Sequence, residues 1–212
     1  AKSPDLIIGV GGCVGQQEKE QLLKDLPLVD FVFGTDTIDL LPSILMKRQW
    51  QQQKVFTDIK HREPYQIETL IRDPGVSTFV TVTKGCDNFC SFCVVPFTRG
   101  RERSRDFEEI VADVELLAQR GVREITLLGQ NVNSYKSLCG ADFADLLKGL
   151  AERTPIARIR FTTSHPKDFD EKLVKVMAAF NEKICEYVHL PFQSGNSEVL
   201  SRMNRGYSRE EY

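Results

Sequence analysis

Three cysteines, Cys86, Cys90 and Cys93, fall within eight residues in the stretch KGCDNFCSFC. Thiolates so placed are ready metal ligands, because one short loop can turn all three toward one point. A structural zinc site is four-coordinate and usually takes its ligands in pairs. Here Cys90 and Cys93 form one CxxC, Cys86 stands four positions earlier, and no second CxxC follows. Cys13, Cys139 and Cys185 are isolated, and His61, His165 and His189 are remote in sequence. Three thiolates on one loop suit a four-iron, four-sulfur cluster with one iron left open for a substrate or cofactor. A zinc loop completed by a distant cysteine or histidine is the competing reading.

The same stretch is locally basic: Lys84, Arg99, Arg101, Arg103 and Arg105 outnumber Asp87 and Glu102. Taken alone this is a solvated basic turn, although the planar fork of Arg99 also suits a carboxylate or phosphate. The formal net charge of −2 provides no global attraction to a polyanion, so any such partner is met locally. Cys13, in VGGCVGQQ, ends a strand on a glycine-rich turn before a helix, where the dipole favours a thiolate. Isolated cysteines are commonly inert and buried. Cys139 reads as a loop thiol and Cys185 as a small core residue.

The elements that must position these residues alternate strand and helix from end to end. Residues 5–10 and 29–34 are short apolar runs, and QQEKEQLLKDL and IDLLPSILMKRQW carry helical spacing, which makes 1–50 one α/β domain. Residues 51–76 lose this periodicity and end in Pro-Gly, the mark of a linker. From residue 77 to 212 a second domain follows, with strands expected at 78–83, 124–129, 156–161 and 187–192 and helices at 107–120, 142–153, 168–180 and 196–203. Four βα units in a row imply parallel strands, as a doubly wound sheet or a barrel. In either, ligands gather where the strands end. The cysteine loop follows the first strand, Gly129, Gln130 and Asn131 the second, Ser164 and His165 the third, and Gln193 and Ser194 the fourth. Loop capping explains such residues equally well.

With 41% hydrophobic and 27% charged residues the chain is an ordinary globular protein, and no run approaches the roughly 20 apolar residues that span a bilayer. Clustered thiols point to a reducing compartment, hence the cytoplasm. The absence of an initiator Met and a sheet expected to stay open suggest a piece of a longer protein.

CDNFCSFC after the first strand of a βα repeat resembles the signature of radical S-adenosylmethionine (SAM) enzymes. CSFCVVPFTRGRERSR, LLGQNVNSY, RIRFTTSHP and HLPFQSGNSEVLSRMNRGYS resemble one branch, the methylthiotransferases, and within it those acting on isopentenyl-adenosine beside the tRNA anticodon. The resemblance covers nearly the whole chain. It implies an α/β fold: part of an amino-terminal methylthiotransferase domain, then an incomplete partial TIM barrel of the (βα)6 type. It implies Cys86, Cys90 and Cys93 as ligands of the radical cluster, Phe92 beside the adenine of SAM, and Gly129, Gln130 and Asn131 near its methionine end. Gln130 and Asn131 stand where an acidic residue is common in the wider family. Ser164, His165, Gln193 and Ser194 would meet ribose, carboxylate or substrate, Arg99 a carboxylate or phosphate, and the other arginines of the stretch the phosphates of the anticodon stem. Cys13 would be the third ligand of a second 4Fe-4S cluster, the other two being absent from this chain.

The implied partners are a tRNA anticodon stem-loop, read through an unpaired base, and an electron donor such as flavodoxin or ferredoxin, with the protein monomeric and off the membrane. The implied chemistry methylates sulfur on the second cluster with one SAM and uses a radical from another to carry methylthio onto an adenine ring carbon. Two further βα units and a small RNA-binding β-barrel would lie beyond this chain, which is expected to be inactive alone. The alternatives are a threonylcarbamoyl-adenosine or ribosomal aspartate as acceptor, or a metal-stabilised RNA-binding module without catalysis.

Overall fold

In the computed structural model, residues 3, 5–59 and 74–212 are described. They fall into two compact units, one holding the described residues up to 59 together with Val94–Arg101, the other holding 74–93 together with Glu102–Tyr212. Both are built on parallel sheets, the α/β class expected from the alternation.

In the first unit, β1 (Gly9–Gly11), β2 (Phe31–Phe33) and β3 (Val55–Phe56) form a parallel sheet in that order. Between β1 and β2 run α1 (Cys13–Glu18) and α2 (Glu20–Asp25), broken at Lys19, whose φ is 48°. Between β2 and β3 lies α3 (Leu41–Met46). Phe31, Ile44 and Phe56 are fully packed, with Phe33, Leu41 and Trp50 against them. Strand β3 falls inside the stretch expected to be linker: two residues suffice to cover the open side of β2, a length too short to register as periodicity. The centre of that linker, 60–73, lies outside the described residues. Helix α4 (Val95–Arg99), which directly follows the cysteine loop, also belongs to this unit, so the expected boundary at 77 does not divide the chain cleanly.

The second unit is centred on β4 (Ser77–Thr81), β7 (Glu124–Leu128) and β8 (Arg158–Phe161), parallel in the order β4-β7-β8. A short antiparallel ladder pairs β5 (Thr83–Lys84) with β6 (Arg103–Ser104), tying together the two ends of the cysteine loop. Helix α5 (Phe107–Gln119) starts where Asp106 accepts from the N–H groups of Glu108 and Glu109, and it buries Ile110, Val111, Val114 and Leu117, one apolar stripe. Helix α6 (Phe143–Arg153) opens with a capping box between Asp142 and Asp145 and buries Phe143, Leu146, Leu147 and Leu150. Helices α7 (Glu171–Ala179) and α8 (Ser197–Arg202) are capped by Asp170 and Asn196. The stripes of α5 and α6 meet Val80, Ile125, Leu127, Ile159 and Phe161 of the sheet in one core. Each such side chain contributes about 1.5–3 kcal/mol by leaving water.

The strand expected at 187–192 does not form. Ile184 makes an isolated parallel bridge to Ile159, and Ser164 N–H donates to the His189 carbonyl at 3.3 Å. Beyond these contacts Tyr187, His189 and Phe192 are exposed. An alternating apolar run becomes a strand only when both its backbone and its apolar side find partners.

Candidate functional site

The cysteine loop leaves the carboxyl end of β4 through β5, where strands of a parallel sheet deliver side chains to a ligand. Cys86 and Cys90 are buried and Cys93 is half-buried. Burial first, then the charges of Glu102, Cys90 and Cys93, push the Cys86 thiol up, against the Asn88 backbone N–H, which lowers it. Among the described residues no three Cys, His, Asp or Glu side chains converge to hold a single metal ion.

Of the residues expected at the strand ends, Gln130 bonds directly to this loop. Just past β7, it accepts from the Gly85 N–H at 2.6 Å and so fixes the residue before Cys86. Gly129 is required there, because a Cβ would stand 2.1 Å from Thr83 Oγ1. Its carbonyl accepts from Thr163 Oγ1 at 2.7 Å, which links the ends of β7 and β8. Asn131 is 2% exposed and donates to Asp168 at 2.6 Å, while its Oδ1 has no hydrogen-bond partner among the described residues. Ser164 Oγ and His165 Nε2 are likewise buried without one.

His165 Nδ1 accepts from the Lys167 N–H at 3.3 Å, which places the ring proton on Nε2. Burial, then the charges of Arg205 and Lys167, lower its pKa to about 4, so the imidazole is neutral at pH 7. Asn131 Oδ1, Ser164 Oγ and His165 Nε2–H thus offer one acceptor, one hydroxyl and one donor, the kind of set that orients a polar ligand.

Glu102 carries a carboxylate that no motif signalled. Ser134 Oγ donates to it at 2.5 Å, and its own N–H donates to Asp87 at 3.0 Å. Burial raises its pKa to about 7 against the Ser134 hydrogen bond, with Asp87 and Asp168 adding to the rise. Between about pH 4.5 and 7 the folded protein therefore holds a proton that the unfolded chain has released, and stability falls as pH rises through that window. Glu102→Gln should be more stable than the parent at pH 8 by about 1–3 kcal/mol, solvent screening allowed for, and equal to it near pH 4. Urea unfolding of both metal-free proteins at pH 4, 6 and 8 checks this, and parallel curves would refute it.

Other expected site residues stand elsewhere. Cys13 begins α1 and Arg99 ends α4, both in the first unit. Phe92 is 57% exposed beside Cys93. Gln193 is exposed at φ 66°, in a tight turn in which the Ser194 N–H donates to the Phe192 carbonyl at 2.7 Å. Ser194 Oγ accepts from the Asn196 N–H at 3.2 Å, a capping bond at the entry to α8. Arg105 is not a phosphate contact: it is 3% exposed and donates to Asp113 at 2.6 Å and to the Thr81 carbonyl. Cys139 is an exposed turn thiol 3.0 Å from Ser137, and Cys185 is half-buried at the edge of β8, where its N–H donates to Ile159.

Sequence reasoning missed the turn after α8. Asn204, Arg205 and Tyr207 close on the cysteine loop and on His165, with the Tyr207 and His165 rings edge to face at 5.6 Å. The stretch RMNRGYS was visible, but nothing in it showed which side chains turn inward.

The sequence model of the radical SAM superfamily matches residues 80–212. Relatives named tRNA-2-methylthio-N(6)-dimethylallyladenosine synthase match the chain throughout: that of Bdellovibrio bacteriovorus is 61% identical over 212 residues, 100% of this chain and 47% of its own length. That of Carboxydothermus hydrogenoformans is 46% identical over 217 residues, 100% of this chain and 49% of its own. The chain spans about half the length of the curated relatives it matches. Among solved structures, a radical S-adenosylmethionine methyltransferase from Kitasatospora setae, with tryptophan substrate and a SAM analogue bound, shares the fold. It aligns at a TM-score of 0.68 and 17% identity over 98% of this chain and 46% of its own.

Proposed function

The chain belongs to the radical SAM superfamily, and from that membership we propose that it forms the cluster-binding part of an enzyme that methylthiolates dimethylallyl-adenosine (isopentenyl-adenosine) in tRNA. The acceptor would be the adenine ring carbon, next to the anticodon. The observation that carries this reading is likeness to synthases of that name over the full length of the chain, cysteine loop and strand ends included.

The donor set suits the group: three thiols on one loop, two of them buried, flanked by polar atoms whose hydrogen bonds are unmade. Cys86, Cys90 and Cys93 would hold a 4Fe-4S cluster, leaving one iron for SAM. When bound, this pair supplies one-electron cleavage of a sulfonium, chemistry that suits a ring carbon with no acidic proton and no leaving group.

The chain's own residues bind and orient. Gln130 holds the loop at Gly85. Asn131 Oδ1 provides a buried acceptor for an ammonium group, and Ser164 Oγ and His165 Nε2–H provide donors for hydroxyl or carboxylate oxygens. Phe92 offers an exposed ring for an adenine face. Arg99 would meet a carboxylate or phosphate, and Cys13 would contribute one thiolate to a second cluster. Residues 1–50 and 77–212 would correspond to the second-cluster and radical domains. An anticodon stem-loop is the proposed partner, a flavodoxin or ferredoxin the electron donor, and the cytoplasm the location; among the described residues no helix is long and apolar enough to cross a membrane.

The test is anaerobic reconstitution of the full-length protein with iron and sulfide, followed by tRNA and SAM. An electron paramagnetic resonance signal that shifts on adding SAM, together with methylthio-adenosine in the digested tRNA, supports the reading. Zinc on the loop, or a signal indifferent to SAM, returns the cysteines to a structural role. A cluster active only on threonylcarbamoyl-adenosine or a ribosomal aspartate would change the acceptor.

A further inference from the structure

The turn after α8 reaches the cysteine loop from 115 residues further along the chain. Asn204, at φ 55°, divides its side-chain amide between the carbonyls of Asn88 and Phe89, at 3.1 and 3.0 Å. One residue earlier, the Met203 carbonyl accepts from the Ser91 N–H at 3.1 Å. These three bonds hold the backbone on both sides of Cys90.

Arg205 adds something different. It is 6% exposed, and its Nη1 donates to Cys90 Sγ at 3.1 Å. The guanidinium lies over the Tyr207 ring, 5.6 Å from its centre. Tyr207 is fixed in turn by its hydroxyl, which donates to the Phe192 carbonyl at 2.8 Å. Among the described residues no carboxylate pairs with Arg205, and its Nε has no hydrogen-bond partner. Burying a charge without a counter-charge is costly. A site that keeps a buried arginine against a sulfur gains from it only when that sulfur carries negative charge, as a metal-bound thiolate does.

We propose that Arg205 is a positioning residue whose charged hydrogen bond to Cys90 raises the reduction potential of the cluster that this sulfur ligates, while Asn204 keeps the loop in the shape that accepts it. This rests on the reading of Cys90 as a cluster ligand. Hydrogen bonds to ligand sulfurs and nearby charge are the means by which a protein sets such potentials, and the partner of a ligand is a second determinant of metal affinity. A fixed cation favours the more negative, reduced state, so removing it makes reduction harder.

The experiment is a redox titration of the reconstituted full-length protein, followed by electron paramagnetic resonance, with Arg205→Met and Arg205→Gln beside the parent. Arg205→Met should reduce the ratio of reduced to oxidised cluster at a fixed poise about tenfold, equivalent to 59 mV for one electron. Arg205→Gln keeps an N–H donor without the charge, so its midpoint should fall between the two. Asn204→Ala should lower iron uptake about tenfold without moving the midpoint of the cluster that does load. Loaded Arg205→Met or Arg205→Gln protein with the parent midpoint would overturn the inference and leave the cluster reading intact. A parent protein that takes up no cluster at all would overturn both.

Discussion

Replacing any one of Cys86, Cys90 and Cys93 by alanine is expected to empty the loop of iron and to abolish the methylthiolation proposed for the full-length protein. Losing a residue that merely supports a metal ligand typically lowers affinity or activity 10–100-fold; loss of a ligand itself should exceed that. The fold should survive. Cys86 and Cys90 are each 8% exposed, so removing a sulfur leaves only a small gap, costing about 1 kcal/mol. Each alanine variant should therefore keep its circular dichroism spectrum and melt within a few degrees of the parent, yet bind roughly four fewer irons per chain. Cys139→Ala and Cys185→Ala should retain the parent's iron content, because one thiol is exposed on a turn and the other borders β8. Full iron in the Cys90→Ala protein would exclude the loop as the cluster site.

The largest expected loss of stability comes from Arg105→Met. The guanidinium is 3% exposed and pairs with Asp113 at 2.6 Å, while the Arg105 backbone carbonyl accepts from Tyr135 and its N–H donates to Val82. Removing one partner of a buried pair costs about 3–5 kcal/mol because the other charge stays behind. Asp113 is 22% exposed, so solvent recovers part of that, and about 2–3 kcal/mol should remain. For a chain of this size that lowers the melting temperature by roughly 4–12 °C. The double variant Arg105→Met/Asp113→Leu should regain part of the loss, since the carboxylate that had faced the guanidinium is replaced as well. Differential scanning calorimetry of the two proteins decides it: equal melting temperatures in parent and single variant would mean that the pair contributes nothing.

Arg105 also shows how charge misleads when it is read along a chain. In RGRERSR it is one basic residue among several, and a surface is the natural place for it. Its neighbour in space is Asp113, nearly two turns into α5, and only the start of that helix at Asp106 brings the two together. Glu102 illustrates the same gap from the other side: the sequence shows an acid in a basic stretch, while the fold encloses it with Ser134, a residue 32 positions away. The expected strand at 187–192 failed for a related reason. Its apolar alternation satisfied the local pattern, but few of its backbone groups meet β8 and its aromatic side chains stay in solvent.

Local chemistry made the rest readable. Helices α5 and α6 were legible because their caps, Asp106 and Asp142, stand directly before stripes of apolar residues that recur at helical spacing. The cysteine loop was legible because its three thiols share one turn of chain. The sequence by itself thus determined the α/β class, the three parallel strands to within a few residues, at 78–83, 124–129 and 156–161 against the observed 77–81, 124–128 and 158–161, and the three clustered cysteines as the candidate metal ligands. Tertiary structure alone decided which polar side chains surround those thiols. Gln130 on Gly85, Asn204 on Asn88 and Phe89, and Arg205 on Cys90 join residues 45 to 116 positions apart. A hydrogen bond is set by distance and angle in space, and a sequence records neither until the sheet and helices have packed.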